Sequence, residues 1–429
     1  MTAIIERLRF LSKRLGERLW VKPLAVCLLS FAGVFLAKVA DLAYLGEALP
    51  GINAESIETM LTILASSMLG VATFAVASMV AAYASASSAA TPRSFSLVIA
   101  DDVSQNALST FIGAFIFGVV ALTAMKNEFF QPGGRVALFG LTVVVFSLVV
   151  LTFVRWVDRI ARLGRLGSSI EKVEAAATAA FRRRKATPTL RGAPARRQLP
   201  QGEAVYADAV GYVQRVDVAT LQACAEAAHA WVSVVALPGT FATPGRPLAY
   251  VGTDEGADAD PDGGEPAAID TGRIASAFVI GKDRLFDEDP RFGLVVLAEI
   301  ADKALSPAVN DSGTAIAIIG SLARLLVLWG APVETAAEPT YPRVEVPELS
   351  VQDMFDDAFT PIARDGAGAV EVVVRLQKAL SSLAFQADAT MRDAARAHGR
   401  MALARAEKAM HLPEDLAHVR DVAAFALRD

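Results

Sequence analysis

Four long apolar stretches crowd the first third of the chain, and they restrict it to folds that can keep those stretches out of water. They cover residues 23–40, 61–84, 107–125 and 136–154, each near the 18–20 residues with which a helix crosses the hydrocarbon core of a bilayer. Over all 429 residues 53% are hydrophobic and the mean hydropathy is +0.40, too apolar for an ordinary soluble domain. The expected fold class is an α-helical polytopic membrane domain of four transmembrane helices, residues 23–155, followed by a cytoplasmic α/β (α+β) domain with a helical C-terminal part. The lipid bilayer is the first partner.

Charge at the flanks orients these spans. Residues 1–22 form a basic amphipathic segment in which Ile4, Ile5, Leu8, Leu11 and Leu15 recur at helical spacing among Arg7, Arg9, Lys13, Arg14, Arg18 and Lys22, a pattern that lies along a membrane surface. Trp20 and Tyr44 suit the two interfaces of the first span, with Lys38 snorkelling. A cleaved leader fits less well, because Lys38 or Asp41 would fall at the −3 position of the obvious cleavage sites. Arg155, Arg159, Arg162 and Arg165 follow the last span, whereas 41–60 carries Asp41, Glu47, Glu55 and Glu58 and no basic residue. With an even number of spans, the excess of Lys and Arg puts both termini in the cytoplasm.

The second span differs from its neighbours. At about 100° per residue, Ser66, Gly70, Thr73, Ala77, Ala81 and Ala84 share one face while Leu61, Leu64, Met68, Val71 and Met79 share the other. A face of small residues serves either close helix packing or the lining of a narrow pore. Ser85, Ser87, Ser88 and Thr91 continue it toward Pro92-Arg93. No charge lies inside the span, so nothing marks a proton relay or a voltage sensor.

The spans hand over to a juxtamembrane helix and basic linker, 156–202, containing Arg182, Arg183, Arg184 and Lys185. A solvated linker is one reading; attraction to anionic lipids, at about 1 kcal/mol per basic residue near the surface, is the other. Residues 203–349 then read as an α/β domain. A strand pair or a strand bulged at Gly211 covers 204–216, Asp217 caps a helix over 218–230, and further strands cover 231–237, 247–251 and 274–281. The acidic loop 253–268 contains Asp258, Asp260, Asp262 and Gly263, but Ile269 stands where a calcium loop needs Glu, so it reads as a solvated loop. Residues 331–349, rich in Pro, Glu and Thr, cross to a helical region at 350–429.

Within 292–326 two apolar helical runs meet at an elbow, Ser306 to Gly313. Pro307 lacks an N–H and disfavours helix at Ser306, so the first run stops there. Asn310 forms the turn, and Asp311 or Ser312 can cap a helix starting near Thr314. Cys27 and Cys224 make no disulfide scaffold, and His229, His398, His411 and His418 share no metal-ligand spacing. Near-balanced charge, −5 overall, leaves no nucleic-acid footprint.

These residues carry a resemblance almost end to end. The run from Phe292 through Ala301, then Ala304-Leu305-Ser306-Pro307-Ala308-Val309-Asn310-Asp311 and Thr314-Ala315, resembles the bacterial membrane-protein family known as domain of unknown function 2254. Supporting matches are Gly211-Tyr212-Val213-Gln214 with Asp217, the Pro238-Gly239 turn with Gly245 and Pro247-Leu248, Ala363-Arg364-Asp365-Gly366, and Pro92-Arg93. The resemblance implies N-terminal membrane helices in a bacterial inner membrane and a C-terminal soluble domain, with no established reaction, ligand or cofactor. This chain departs from the family pattern at Ser312, where Pro is usual, and at Leu285 and Glu288, where Thr and Gln are.

Three functions follow. A homo-oligomeric channel or conduit would place the second span on its axis. A scaffold or sensor would bind protein partners through the soluble half. A membrane-anchored enzyme would gather Asp287, Asp289, Glu299, Asp302, Asn310 and Asp311 around a metal, or activate Ser306 with Lys303. Ordinary roles weigh against the last: Asp311 as a helix cap, Ser306 as a pre-proline turn residue, Glu299 and Lys303 as an i,i+4 pair. No catalytic residue, metal ligand or cofactor is assigned.

Overall fold

A computed structural model describes residues 21–39, 53–89, 91–94, 97, 102–160, 166–195, 202–253, 268–332, 338–386 and 388–427. The basic leader before Val21, Trp20 and Tyr44, the side chains of Ser87 and Ser88, Arg162 and Arg165, and the acidic residues Asp258, Asp260 and Asp262 lie outside them. The chain groups into two units, Met1–Ser169 and Ile170–Asp429.

The first unit contains α1 (Val21–Val39), α2 (Ala54–Ala89), a single 3-10 turn (Pro92–Ser94), α3 (Asp102–Lys126) and α4 (Pro132–Ile160). The helices α2, α3 and α4 each contain an expected span and α1 covers the first as far as Val39; α2 and α4 extend well beyond theirs. In α2 the Asn53 carboxamide accepts from the Glu55 N–H at 3.0 Å, and Thr59 and Thr62 return their hydroxyls to the carbonyls of Glu55 and Glu58. Polar residues therefore continue the helix past the apolar window. At 36 residues α2 is about 54 Å long, well above the ~30 Å hydrocarbon core.

Helix α3 is the centre of this unit and packs against α1, α2 and α4. Glycines set the approach. A Cβ on Gly118 would lie 3.0 Å from the Ala65 nitrogen and 3.2 Å from the Leu61 carbonyl oxygen, so α2 and α3 meet backbone to backbone; at Gly113 it would meet Val26 of α1. Ser30 of α1 donates to the Gly113 carbonyl at 3.0 Å. Leu61, Ile57, Phe117, Ala121 and Leu138 fill one end of the interior; Leu64, Met68, Phe111, Ala114 and Trp156 fill the other. Lys38, expected to snorkel, donates to the Phe129 carbonyl at 2.6 Å and lies over that ring in the α3–α4 connection.

Five described helices, not four, are long and apolar enough to cross a membrane. The fifth, Ser312–Gly330, lies in the second unit.

That unit takes in most of α5 (Leu166–Ala186), then β1 (Gly192–Pro194), β2 (Glu203–Tyr206), β3 (Gly211–Val216), α6 (Val218–Ala227), β4 (Ala230–Val234), β5 (Phe241–Ala242), β6 (Pro247–Thr253), α7 (Thr271–Ser276) and β7 (Phe278–Gly281). It continues with α8 (Pro290–Leu305), α9 (Ser312–Gly330), β8 (Tyr341–Val346), α10 (Val351–Asp365), α11 (Val370–Ala384), α12 (Ala389–Ala409), α13 (Pro413–Val422) and a closing 3-10 turn. A mixed five-stranded sheet has the order β1-β8-β4-β6-β2, with β1, β8 and β4 parallel; an antiparallel three-stranded sheet has the order β5-β3-β7.

Several expectations are corrected here. Residues 204–216 are neither a pair nor one bulged strand: β2 and β3 belong to different sheets. The fourth strand begins only at Phe278, because Asp270 accepts from the Arg273 N–H at 2.8 Å and caps the short α7. The linker is partly structured, since Gly192–Pro194 pairs with β8; β8 itself arises in the stretch read as an irregular crossing. Helices α8 and α9 join the C-terminal helices: α8 packs on α10, and α9 on α11.

Candidate functional site

The small-residue face of α2 is left uncovered by the other helices of its unit. Ser66, Gly70, Thr73, Ala77, Ala81 and Ala84 are all exposed, while Leu61, Leu64, Met68 and Met79 are buried and Val71 is partly buried against the other helices. A Cβ added at Gly70 meets nothing within 4 Å. Close packing inside the unit uses the other side of α2, around Ala65, and the glycines of α3. Thr59 and Thr62 extend the stripe toward the start of the helix and are exposed as well. The stripe read from sequence began at Ser66 and missed these two.

The signal for them is a repeat of eleven. Thr59, Gly70 and Ala81 are eleven residues apart, as are Thr62, Thr73 and Ala84, and Ser66 and Ala77. Eleven residues make three turns at about 3.67 residues each, close to an undistorted helix, so the stripe runs almost straight along α2. Its hydroxyls are satisfied within the helix: Ser66 donates to the Thr62 carbonyl at 2.7 Å and Thr73 to the Leu69 carbonyl at 2.9 Å. Their protons point back to the backbone and their lone pairs remain for a partner. Ile63, Leu69, Phe74, Val76 and Val80, also exposed, border the stripe.

The elbow in the second unit is built as its sequence requires. Asp289 caps α8 by accepting from the Phe292 N–H at 3.2 Å, with Pro290 in the first turn. The helix ends at Ser306, extended at φ −60° and ψ 147° before Pro307. Asn310 takes a left-handed φ of 50°, a conformation that Asn tolerates. The Asp311 N–H donates to the Ala304 carbonyl at 2.8 Å, and its carboxylate accepts from the Thr314 N–H and hydroxyl at 3.0 and 2.6 Å. Those bonds, the Thr314 hydroxyl foremost, hold the Asp311 carboxyl below the usual range. Ser306 is spoken for: its hydroxyl donates to the Lys303 carbonyl at 2.7 Å.

The acidic residues considered for a metal go to separate partners. Buried Asp289 pairs with Arg284 at 2.7 Å, and burial outweighs that partner to raise its pKa. Asp287 engages Arg183 through its carbonyl and, at 3.6 Å, its carboxylate. Asp302 meets Arg364 of α10 at 3.3 Å, where Arg364 also grips Asp365 with two bonds, at 2.6 and 3.0 Å. Among the described residues no group of three or more His, Cys, Asp or Glu is arranged to hold a metal ion. The Asp302–Arg364–Asp365 cluster joins two motif stretches, at 292–315 and 363–366, whose meeting sequence spacing did not reveal.

The basic run at 182–185 is docked within the second unit. Arg183 donates to the Asp287 carbonyl and Lys185 to that of Leu328, both at 2.5 Å. Arg184 is 4% exposed, donates to the Pro347 carbonyl at 3.3 Å, and has its pKa pulled down to about 10 by burial. These three heads meet protein carbonyls; Arg182 is exposed.

The family model agrees with a membrane reading, and the comparisons add no activity. A family model described as "Predicted membrane protein (DUF2254)" matches residues 16–382. Uncharacterised proteins of Mycobacterium bovis and Mycobacterium tuberculosis are each 35% identical to this chain over 115 residues, which is 26% of this chain and 20% of the relative. The match thus spans about a fifth of those relatives. No solved structure matches.

Proposed function

Because the chain belongs to the DUF2254 family of predicted membrane proteins, we propose that it is a homo-oligomeric membrane assembly in which copies of α2 meet along the small-residue stripe and enclose a narrow conduit. Four helices, α1 to α4, cross the membrane in this reading, with both termini in the cytoplasm of a bacterial inner membrane. Lys22 in the first turn of α1 and Arg155 and Arg159 near the end of α4, against Glu55 and Glu58 at the start of α2, support that orientation. Helix α9 stays with the soluble unit, since Ile318, Ile319, Leu322, Leu325 and Leu326 are buried in it and Arg324 bonds Glu174.

One observation carries the proposal. The face best suited to close helix approach is left open by this chain's own packing, although α3 shows how tightly its helices can pack. Small residues lose little side-chain entropy on association and let backbones come close, and the outward lone pairs of Ser66 and Thr73 suit a cation or a polar solute on an axis.

Purified protein reconstituted into liposomes should pass small ions, and Gly70→Leu and Ala77→Leu should each reduce that flux while the protein remains folded. Absence of flux from wild type and variants alike would overturn the conduit. Retention of full flux in both variants would remove α2 from its wall.

A further inference from the structure

We propose that Asp302 and Asp365 form a proton-binding pair whose occupancy decides how firmly the last turn of α8, and with it the Ser306–Asp311 elbow, is held against α10.

Helices α8 and α10 run side by side in the same direction and are joined near both ends. At the start, Arg291 bonds Asp357 and Asp353, each at 2.6 Å. At the far end a single guanidinium, Arg364, serves two carboxyl groups. Its Nε and Nη2 are committed to Asp365, and Asp302 shares only Nη2 at 3.3 Å. The other Asp302 oxygen, Oδ1, is buried and accepts no hydrogen bond. An ionised carboxylate with one buried, unbonded oxygen beside a second carboxylate is poorly solvated, and the one guanidinium it shares is engaged mainly by its neighbour. A proton supplies what is missing: a neutral Asp302 can donate to Asp365, and one arginine then balances one negative charge.

The charged groups that the neighbouring elements bring here are few among the described residues. Arg364 and Asp365 are the charged groups that α10 presents here. Helix α9, also packed on α8, has Arg324 as its one charged residue, and Glu174 holds it at 2.6 and 2.7 Å. On α8 itself Glu299 and Lys303 flank Asp302, one acid and one base. Burial and the nearby Asp365 accordingly push the Asp302 carboxyl up to about 6.

The elbow is within reach of this pair. Asp302 lies one turn before Ser306, and the Ala304 carbonyl between them accepts the Asp311 N–H. A Cβ placed on Gly366, next to Asp365, would lie 3.4 Å from Leu305 Cδ1, so the last turns of the two helices touch. Loss of the shared proton puts two negative charges at this contact and loosens it.

Hydrogen exchange on the full chain in detergent tests the proposal. After correction for the intrinsic exchange rate, a peptide covering Asn310 and Asp311 should lose about tenfold in protection between about pH 5 and about pH 7.5. The drop should vanish in Asp302→Asn, which keeps the donor and cannot ionise. Should that variant fail to fold, Asp365→Asn serves, because removing the like charge moves the loss below the tested window. Equal protection at both pH values in the wild type would overturn the proposal. So would a drop that persists in the substituted protein.

Discussion

The carboxylate of Asp289 occupies the space that a side chain at position 239 would need: a Cβ built on Gly239 would lie 2.3 Å from Oδ2 of Asp289. Gly239 also has φ +94°, so the Pro238-Gly239 turn requires glycine for conformation and for clearance. The same carboxylate caps α8 and holds Arg284, which lies over the Phe292 ring. Gly239→Ala should therefore cost about 2 kcal/mol or more, seen as a lower unfolding midpoint of the detergent-solubilised protein. An unchanged midpoint would mean that the turn and Asp289 are not packed together.

Substitutions at two glycines distinguish packing inside one copy from the proposed association between copies. Gly118→Leu should destroy the α2–α3 contact, where the Ala65 nitrogen lies 3.0 Å from the missing Cβ, and the protein should aggregate. Gly70→Leu has open space and should leave the monomer folded while lowering the oligomer fraction in size-exclusion chromatography with light scattering. Similar behaviour of the two variants would contradict the separation.

Asp311→Ala should cost about 1 kcal/mol through the lost cap of α9, measured by thermal unfolding, with most of it restored by Asp311→Asn. Full stability of the alanine variant together with loss of an activity would instead make the elbow a reaction site.

Stability should fall as pH rises toward neutrality. Asp302 and Asp289 both have raised folded-state pKa values, so the native state binds more protons than the unfolded one between the ordinary carboxyl value and, for Asp302, about 6. Their contribution is fully present below about pH 4 and is lost as pH climbs through the folded values. Asp311, Asp365 and Glu174 have lowered values, and their contribution is lost on acidification below that range. Between about pH 4 and about pH 6.5 a net loss on the order of 1 kcal/mol is expected, after allowance for the partial exposure of Asp302. Asp302→Asn should flatten much of it. A wild-type stability that rises across this interval would contradict the assignment.

The elbow could be read from sequence because each of its devices is local: Pro307 ends one helix, Asn310 accepts a left-handed φ, and Asp311 caps the next. The stripe on α2 was legible for the same reason, since helical period alone places its members together. What escaped reading depends on distant partners. Strand β8 forms only because β1 and β4 flank it, and nothing local in Tyr341–Val346 outweighs its proline and two charged residues. Arg184 is buried and bonded to the Pro347 carbonyl, so one member of a basic run that reads as a linker is taken into the interior. Asp302 and Arg364 are 62 residues apart, and no spacing rule joins them.

The central claim is that the stripe on α2 faces another copy of itself. Disulfide trapping in native membranes tests it directly, in a chain whose own cysteines, Cys27 and Cys224, are replaced by serine. With Ala77→Cys at the centre of the stripe, mild oxidation should convert most of the protein to a covalent dimer, whereas Leu148→Cys on the exposed face of α4 should remain monomeric. Equal, weak trapping at both positions would contradict the account.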